Sequence, residues 1–410
     1  MSTPASHSDR PVLALFGAMD RFNYGDLLFP FVIKSLLKNE APEKYRLECV
    51  GLRRSHLKEA GSFPTHPVRW LNRMDSLREG SAVIVVGGEV LGAGWDRLSS
   101  YLLPPRTGDF LHAALEKMIG SERIAQASRR YFGAPWEIPF VPDPRFLPRR
   151  VPVLYNQVGG IGLLNRPVNW LENIDRLIDK ADYCSVRDSV THQIIECADL
   201  EVELAPDSAV LVSDIFPRSA LEKRMGDATH RLINEIRDGY LCFQCNRYIG
   251  QHRLEQIARQ LRTISRDTGW HIVLLPLGLV PGHSDRVALQ RLRKLLGPLA
   301  VLPEKTSVYD LTALLANARF FVGTSLHGTI AAISYEVPYA GINKVAKLAA
   351  SLETWCSPPF REVVDMEDIA DAVRERSEGH AEILAKDSRR LKKKARAAFE
   401  NLYRALPGNS

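Results

Sequence analysis

Phe320-Phe-Val-Gly-Thr-Ser-Leu-His-Gly-Thr-Ile-Ala-Ala-Ile-Ser334 reads as a short buried strand, a turn of small polar residues and the start of a helix. A strand that feeds a helix through such a turn is the unit of a parallel α/β sheet. The turn brings backbone N–H groups and one imidazole, His327, to a helix N-terminus. That is a place to hold an anion and to move a proton. Ser325 and Gly328 flank the imidazole and offer a hydroxyl and an unhindered N–H.

The same rhythm extends outward in both directions. Strands are expected at residues 12–17, 46–51, 82–86, 151–156, 183–186 and 202–204. A helix begins near Gly25, with Asp26 as an acidic cap and Pro30 in its first turn, where a missing N–H costs little. Residues 95–150 break the pattern with many Pro, Arg and aromatic residues. They read as an insertion carrying one helix near 112–120, of the kind that forms a lid or an acceptor-binding loop. After Asp214 the alternation restarts. Strands are expected at 239–246, 270–276, 320–323 and 337–342, and helices at 251–268, 284–296, 308–318 and 344–353. One long helical pattern covers 369–406.

This restart predicts two Rossmann-like βαβ domains facing each other across a cleft. Their expected bounds are 11–213, containing the insertion, and 214–360, with a linker near 213–238. Residues 1–10 read as a polar tail without fixed structure, and 361–410 as a terminal helix with a basic face. A chain of 410 residues is long enough for two cores.

Composition narrows the function classes. The chain is 45% apolar and 25% charged, with a formal charge of +6. That balance is ordinary for a globular protein and too small to indicate nucleic acid. No apolar run reaches the ~18–20 residues of a membrane helix. The N-terminus lacks an apolar signal core, so the expected compartment is the cytoplasm. The basic run Arg389-Arg-Leu-Lys-Lys-Lys-Ala-Arg396 reads as a solvated helix face, with peripheral contact to an anionic membrane as the alternative. Cys242 and Cys245 form a C-x-x-C inside a strand. A closed zinc site needs about four ligands and no second pair is present, so these read as buried thiols and no metal is expected.

In parallel sheets, ligands lie beyond the carboxyl ends of strands, and the polar residues collect there. The first strand leads to Asn23 and Asp26, which read as helix caps or as groups beside an acceptor hydroxyl. The strand at 82–86 ends in Gly87-Gly88-Glu89, where paired glycines let a ligand approach the backbone. Ser185-Val-Arg187-Asp188 ends another, and Arg187 can fork onto a phosphate or carboxylate or pair with an acid such as Asp207. Asn246 and Arg247 follow the strand at 239–246. Lys344 and Lys347 follow the strand at 337–342, and Lys344 could meet an anion as a point charge.

Taken in order, Asn23-x-Gly25-Asp26, Val85-Val-Gly-Gly88, Ser185-Val-Arg-Asp188, Pro206-Asp-Ser-Ala209, Ser325-Leu-His-Gly-Thr329 and a closing lysine resemble the polysaccharide pyruvyl transferase family. The resemblance spans about 12 to 350. It departs at Ser325, where better-known members carry Arg, and at Glu89, where many carry a third glycine. It implies a GT-B-like pair of domains and transfer of a carboxyvinyl unit from phosphoenolpyruvate to a sugar, forming a ketal, with no cofactor. It implies His327, with Asp26 and Glu89, as the catalytic residues. Asn23, Gly87, Gly88, Arg187, Asp207, Asn246, Arg247, Ser325, Gly328 and Lys344 would bind substrate. The acceptor would be a glycan or lipid-linked sugar. A nucleotide-sugar glycosyltransferase and a non-catalytic sugar-binding scaffold are the alternatives at this stage.

Overall fold

The computed structural model describes residues 10–409, except 41–42, 74–76, 99–107, 149, 197–200, 247–248 and 281–283. Twelve strands are described, and they form two all-parallel sheets. The first holds β1 (Val12–Phe16), β2 (Arg46–Gly51), β3 (Thr65–Pro67), β4 (Ala82–Val85), β5 (Val153–Val158), β6 (Tyr183–Val186) and β7 (Glu203–Leu204), in the spatial order 3-2-1-4-5-6-7. The second holds β8 (Tyr240–Gln244), β9 (His271–Leu274), β10 (Ala300–Val301), β11 (Phe320–Gly323) and β12 (Tyr339–Gly341), in the order 10-9-8-11-12.

The central strands explain themselves. Val12-Leu-Ala-Leu-Phe16 and Tyr240-Leu-Cys-Phe-Gln244 are buried at every position. Apolar runs without alternation suit strands covered by helices on both faces. The short edge strands β3 and β10 were not among the strands expected from sequence; β3, Thr65-His-Pro67, has no apolar run to mark it. A second helix in the insertion, Ser121–Phe132, also escaped the reading; Gly120 starts it and Gly133 ends it in the left-handed conformation. The pattern at 369–406 is not one helix. It breaks into Ile369–Arg376 and Ala381–Arg404, with Gly379 at φ +78° between them. The stretch expected as a linker carries three short helices, Val212–Ile215, Arg218–Glu222 and Asp227–Glu235.

One continuous apolar cluster joins the sheets. Leu13, Leu15, Ile84 and Leu154 of the first sheet belong to it together with Cys242, Val273 and Phe321 of the second. Helix Tyr24–Glu40 lies at the junction. Its Phe31 meets Phe216 at 5.3 Å and Tyr309 at 5.8 Å between ring centroids, and the Tyr24 hydroxyl lies 3.0 Å from that of Thr312. A fully buried aromatic or leucine side chain contributes about 1.5–3 kcal/mol, against about 1 for a typical hydrogen bond. Apolar packing therefore dominates the attachment of the two halves.

The terminal helix Ala381–Arg404 returns to the first sheet. Tyr183 donates to the Ala398 carbonyl at 3.1 Å, and Asn401 donates to Glu203 at 3.1 Å. Much of its basic face is paired: Lys392 and Arg396 with Asp214, and Arg390 with Asp387. Arg389 and Lys393 are exposed. Among the described residues, no helix is long and apolar enough to cross a membrane.

Candidate active site

Strand order reverses once in each sheet, beside β1 and β4 in the first and beside β8 and β11 in the second. Loops leaving the carboxyl ends of neighbouring strands diverge at such a point and leave a crevice. Here the two reversals meet. Asn23, after β1, forms an antiparallel bridge with Gly278, after β9. The Tyr24 N–H donates to the Leu277 carbonyl at 2.9 Å, and the Leu279 N–H to the Phe22 carbonyl at 3.0 Å.

His327 lies in the first turn of helix Leu326–Ser334. Ser325 caps that helix, its hydroxyl accepting from the Gly328 N–H at 3.2 Å. The His327 side chain is 8% exposed. Its Nδ1 side lies on Gly25, where an added methyl carbon would come within 1.8 Å, so no larger residue fits beneath the ring. The Phe29 ring meets it edge-on at 5.6 Å. Nε2 stands 3.4 Å from Asp207 Oδ2, not aligned as a hydrogen bond and an ion pair only when the ring is protonated.

Asp207 is itself held from two other sides. Its Oδ1 accepts from the Ala209 N–H at 3.0 Å, and its Oδ2 accepts from Arg187 Nη1 at 3.0 Å. Arg187 Nη2 donates to Glu89 Oε2 at 3.0 Å, and Glu89 Oε1 accepts from the Gly162 N–H at 3.0 Å. The Trp355 indole donates to the Arg187 carbonyl at 2.8 Å. One chain thus runs Glu89–Arg187–Asp207–His327, half-buried at Glu89 and buried from there on, from the ends of β4 and β6 to the helix after β11.

Electrostatics follow from burial and these partners. Burial would raise the Asp207 carboxyl, but His327, Arg187 and the Ala209 N–H outweigh it and hold the pKa at about 2. Burial would lower that of Arg187, yet Asp207 and Glu89 overcome it and raise it. Asp26 goes the other way: burial raises its carboxyl despite nearby His327, Lys347, Arg21 and Arg187. Burial, then Arg187, lowers the Lys347 ammonium, partly offset by Glu89, Asp26 and Asp207. A buried carboxyl raised beside an imidazole is a group poised to exchange a proton.

Of the residues singled out from sequence, the fold gathers Asp26, Glu89, Arg187, Asp207 and His327. Gly87 and Gly88 border them at φ +111° and +86°, which L side chains rarely adopt; the Asp26 carboxylate lies 3.2 Å from where a Gly88 side chain would begin. Asn23 serves the bridge between the halves, and Asn246 is half-buried beyond β8. Lys344 is exposed, whereas Lys347, one helical turn on and half-buried, interacts with the acidic cluster. Arg247 lies outside the described residues. Arg187 is committed to two carboxylates, so the pairing alternative describes its contacts.

Sequence reading placed Gln244 and Asp285 at strand ends but gave them no role. Gln244 donates to Asp285 at 3.0 Å and accepts from both the N–H and the hydroxyl of Thr324 at 3.1 Å, tying the end of β8 to the turn before His327. Burial pushes the Asp285 carboxyl up to about 7. Gln244 closes an otherwise apolar strand, a faint signal that could have been read. Among the described residues, no cluster of His, Cys, Asp and Glu is arranged to hold a metal, and both C-x-x-C thiols are buried.

Two Rossmann-like sheets with a charged chain at their junction define a GT-B-like α/β protein. Solved structures agree on the fold. The UDP-GlcNAc 2-epimerase of Methanocaldococcus jannaschii, in complex with UDP-GlcNAc and UDP, superposes with a TM-score of 0.53 at 10% identity, covering 95% of this chain and 99% of that one. MnaA of S. aureus, bound to UDP, gives 0.51 at 11% identity, with 96% and 95% covered. The chain belongs to the polysaccharide pyruvyl transferase family, whose model matches residues 23–343. No curated protein is similar enough in sequence to match it. The family is one of transferases and implies a sugar or polysaccharide acceptor.

Proposed function

We propose that this protein transfers a pyruvyl group from phosphoenolpyruvate to two hydroxyls of one sugar, forming a cyclic ketal and releasing phosphate. The observation that carries the reading is the Asp207–His327 pair, braced by Arg187 and Glu89, where the two strand-order reversals meet. An enol phosphate needs a proton donor at its methylene carbon and cations around its acidic groups. His327 is the donor. Lys347 and the N–H groups opening helix Leu326–Ser334 face the anion, and Arg247 is a further cation assigned from sequence alone.

The proton from His327 forms a C–H bond at C3 and leaves an oxocarbenium-like centre at C2. A first sugar hydroxyl bonds to C2, and its proton passes to Asp26, whose raised pKa suits a base. The C2–O bond to phosphate then breaks and phosphate departs. A second hydroxyl bonds to C2 and closes the ring. Of the two hydroxyl protons, one replaces that spent on C3 and the other leaves with phosphate. Asp207 offsets the charge of the imidazolium and fixes its orientation.

Thermal unfolding with separate ligands tests the donor. Phosphoenolpyruvate at a hundred times its Kd should add about 2.7 kcal/mol of stability, and UDP-GlcNAc should add nothing. Stabilisation by UDP-GlcNAc with no response to phosphoenolpyruvate would contradict the reading.

A further inference from the structure

Gln157, the penultimate residue of β5, stands under three unusual conditions. Its backbone is left-handed, with φ +46°, which a non-glycine residue with a long side chain seldom adopts. The pairing of β5 with β6 slips between Tyr155 and Val158, so Gln157 lies within a bulge. Its side chain is fully buried, yet neither Nε2 nor Oε1 finds a hydrogen-bond partner among the described residues. Strain, a bulge that re-aims a side chain and an unanswered buried amide each cost free energy, and each concentrates at functional sites.

Its backbone and its chain neighbours belong to the candidate site. Its N–H donates to the Ser185 hydroxyl at 2.9 Å, two residues before Arg187. Two residues after Gln157 comes Gly159, where an added side-chain carbon would fall 2.6 Å from the Arg187 guanidinium and 2.7 Å from the Glu89 carboxylate. The preceding Asn156 reaches Ser208, the neighbour of Asp207, at 3.5 Å.

We propose that Gln157 selects the acceptor by bonding two neighbouring sugar hydroxyls, one donating to Oε1 and the other accepting from Nε2. The inference rests on the pyruvyl-transfer reading of this site. Phosphate and carboxylate are acceptors only, so the donor substrate could answer Nε2 and would leave Oε1 unpaired. A hydroxyl both donates and accepts. Ketal formation requires two hydroxyls held together, and a planar amide with both faces of its chemistry free fits that pair.

Gln157→Met keeps the volume and removes both polar atoms. Gln157→Asn is the second variant: Asn tolerates the left-handed backbone better, while its amide falls one methylene short. The probes are methyl galacto-, gluco- and mannopyranoside, with phosphoenolpyruvate measured separately by thermal shift and calorimetry. The unliganded Met variant should melt at or above the wild type, by about 1–3 °C, since an unpaired buried amide is removed. Both variants should weaken glycoside binding at least tenfold and leave phosphoenolpyruvate binding within twofold. A Met variant that melts several degrees lower with glycoside binding intact would overturn the proposal and make the amide structural. Loss of phosphoenolpyruvate binding alone, or a wild type that binds none of the three glycosides, would overturn it too. A wild type that binds a glycoside but not phosphoenolpyruvate would instead sink the donor reading.

Discussion

His327→Asn should lower kcat for pyruvyl transfer about 10²–10⁴-fold, the range for losing a positioned proton donor. Asn keeps a polar group on the helix but cannot deliver a proton to carbon. Lys347 and the helix N-terminus remain, so KM for phosphoenolpyruvate should change little, and Arg187 still neutralises Asp207. Steady-state kinetics with a phosphate-release assay read both parameters. Activity within tenfold of wild type would move the proton source elsewhere, with Asp26 the next candidate by position.

Arg187→Met should destabilise the fold by about 3–5 kcal/mol, the cost of stranding a buried charge. Asp207 supplies most of that penalty, its side chain being 2% exposed, whereas Glu89 at 25% retains contact with water. Arg187→Lys should recover little, because one ammonium cannot reproduce a fork that reaches two carboxylates. Adding Asp207→Asn to Arg187→Met should restore part of the loss by removing the orphaned charge. The acid limb of stability should move as well. Asp207 has a depressed folded pKa, so its contribution is complete above about pH 4 and is lost as pH falls through about 2. With Arg187 gone the Asp207 carboxyl is no longer held so low, that acid-labile contribution shrinks, and the deficit of the variant against the wild type should narrow as pH falls and the stranded charge is protonated. Urea unfolding at several pH values reads all of this, and a cost below about 1 kcal/mol for Arg187→Met would contradict the buried-chain account.

The fold was legible where burial is two-sided. Val12–Phe16, Tyr240–Phe243 and Phe320–Gly323 are runs without alternation, buried at every position, as strands covered on both faces require. The site was legible in its residue types, because His327, Arg187 and Glu89 follow strand ends and Asp207 caps the turn after its strand; Asp26, expected as a cap, lies instead inside the first turn of helix Tyr24–Glu40. Partners were not legible. Arg187 and Asp207 are 20 residues apart, but Arg187 and Glu89 are separated by 98, and a sequence alone cannot bring them to 3.0 Å. The choice between Lys344 and Lys347 turned on where helix Ala346–Trp355 begins, two residues later than its apolar pattern suggested. Gln157 gave no signal at all, since its strain arises from a slip between two strands.

The most direct measurement incubates the protein with phosphoenolpyruvate and a panel of glycosides and lipid-linked glycans in deuterated water. Mass spectrometry and a phosphate assay follow the products. The account predicts a gain of one pyruvate less one water, an equal amount of free phosphate, and one deuterium in the new methyl group. A hexose gained only from a nucleotide sugar, with phosphoenolpyruvate left intact, would contradict it.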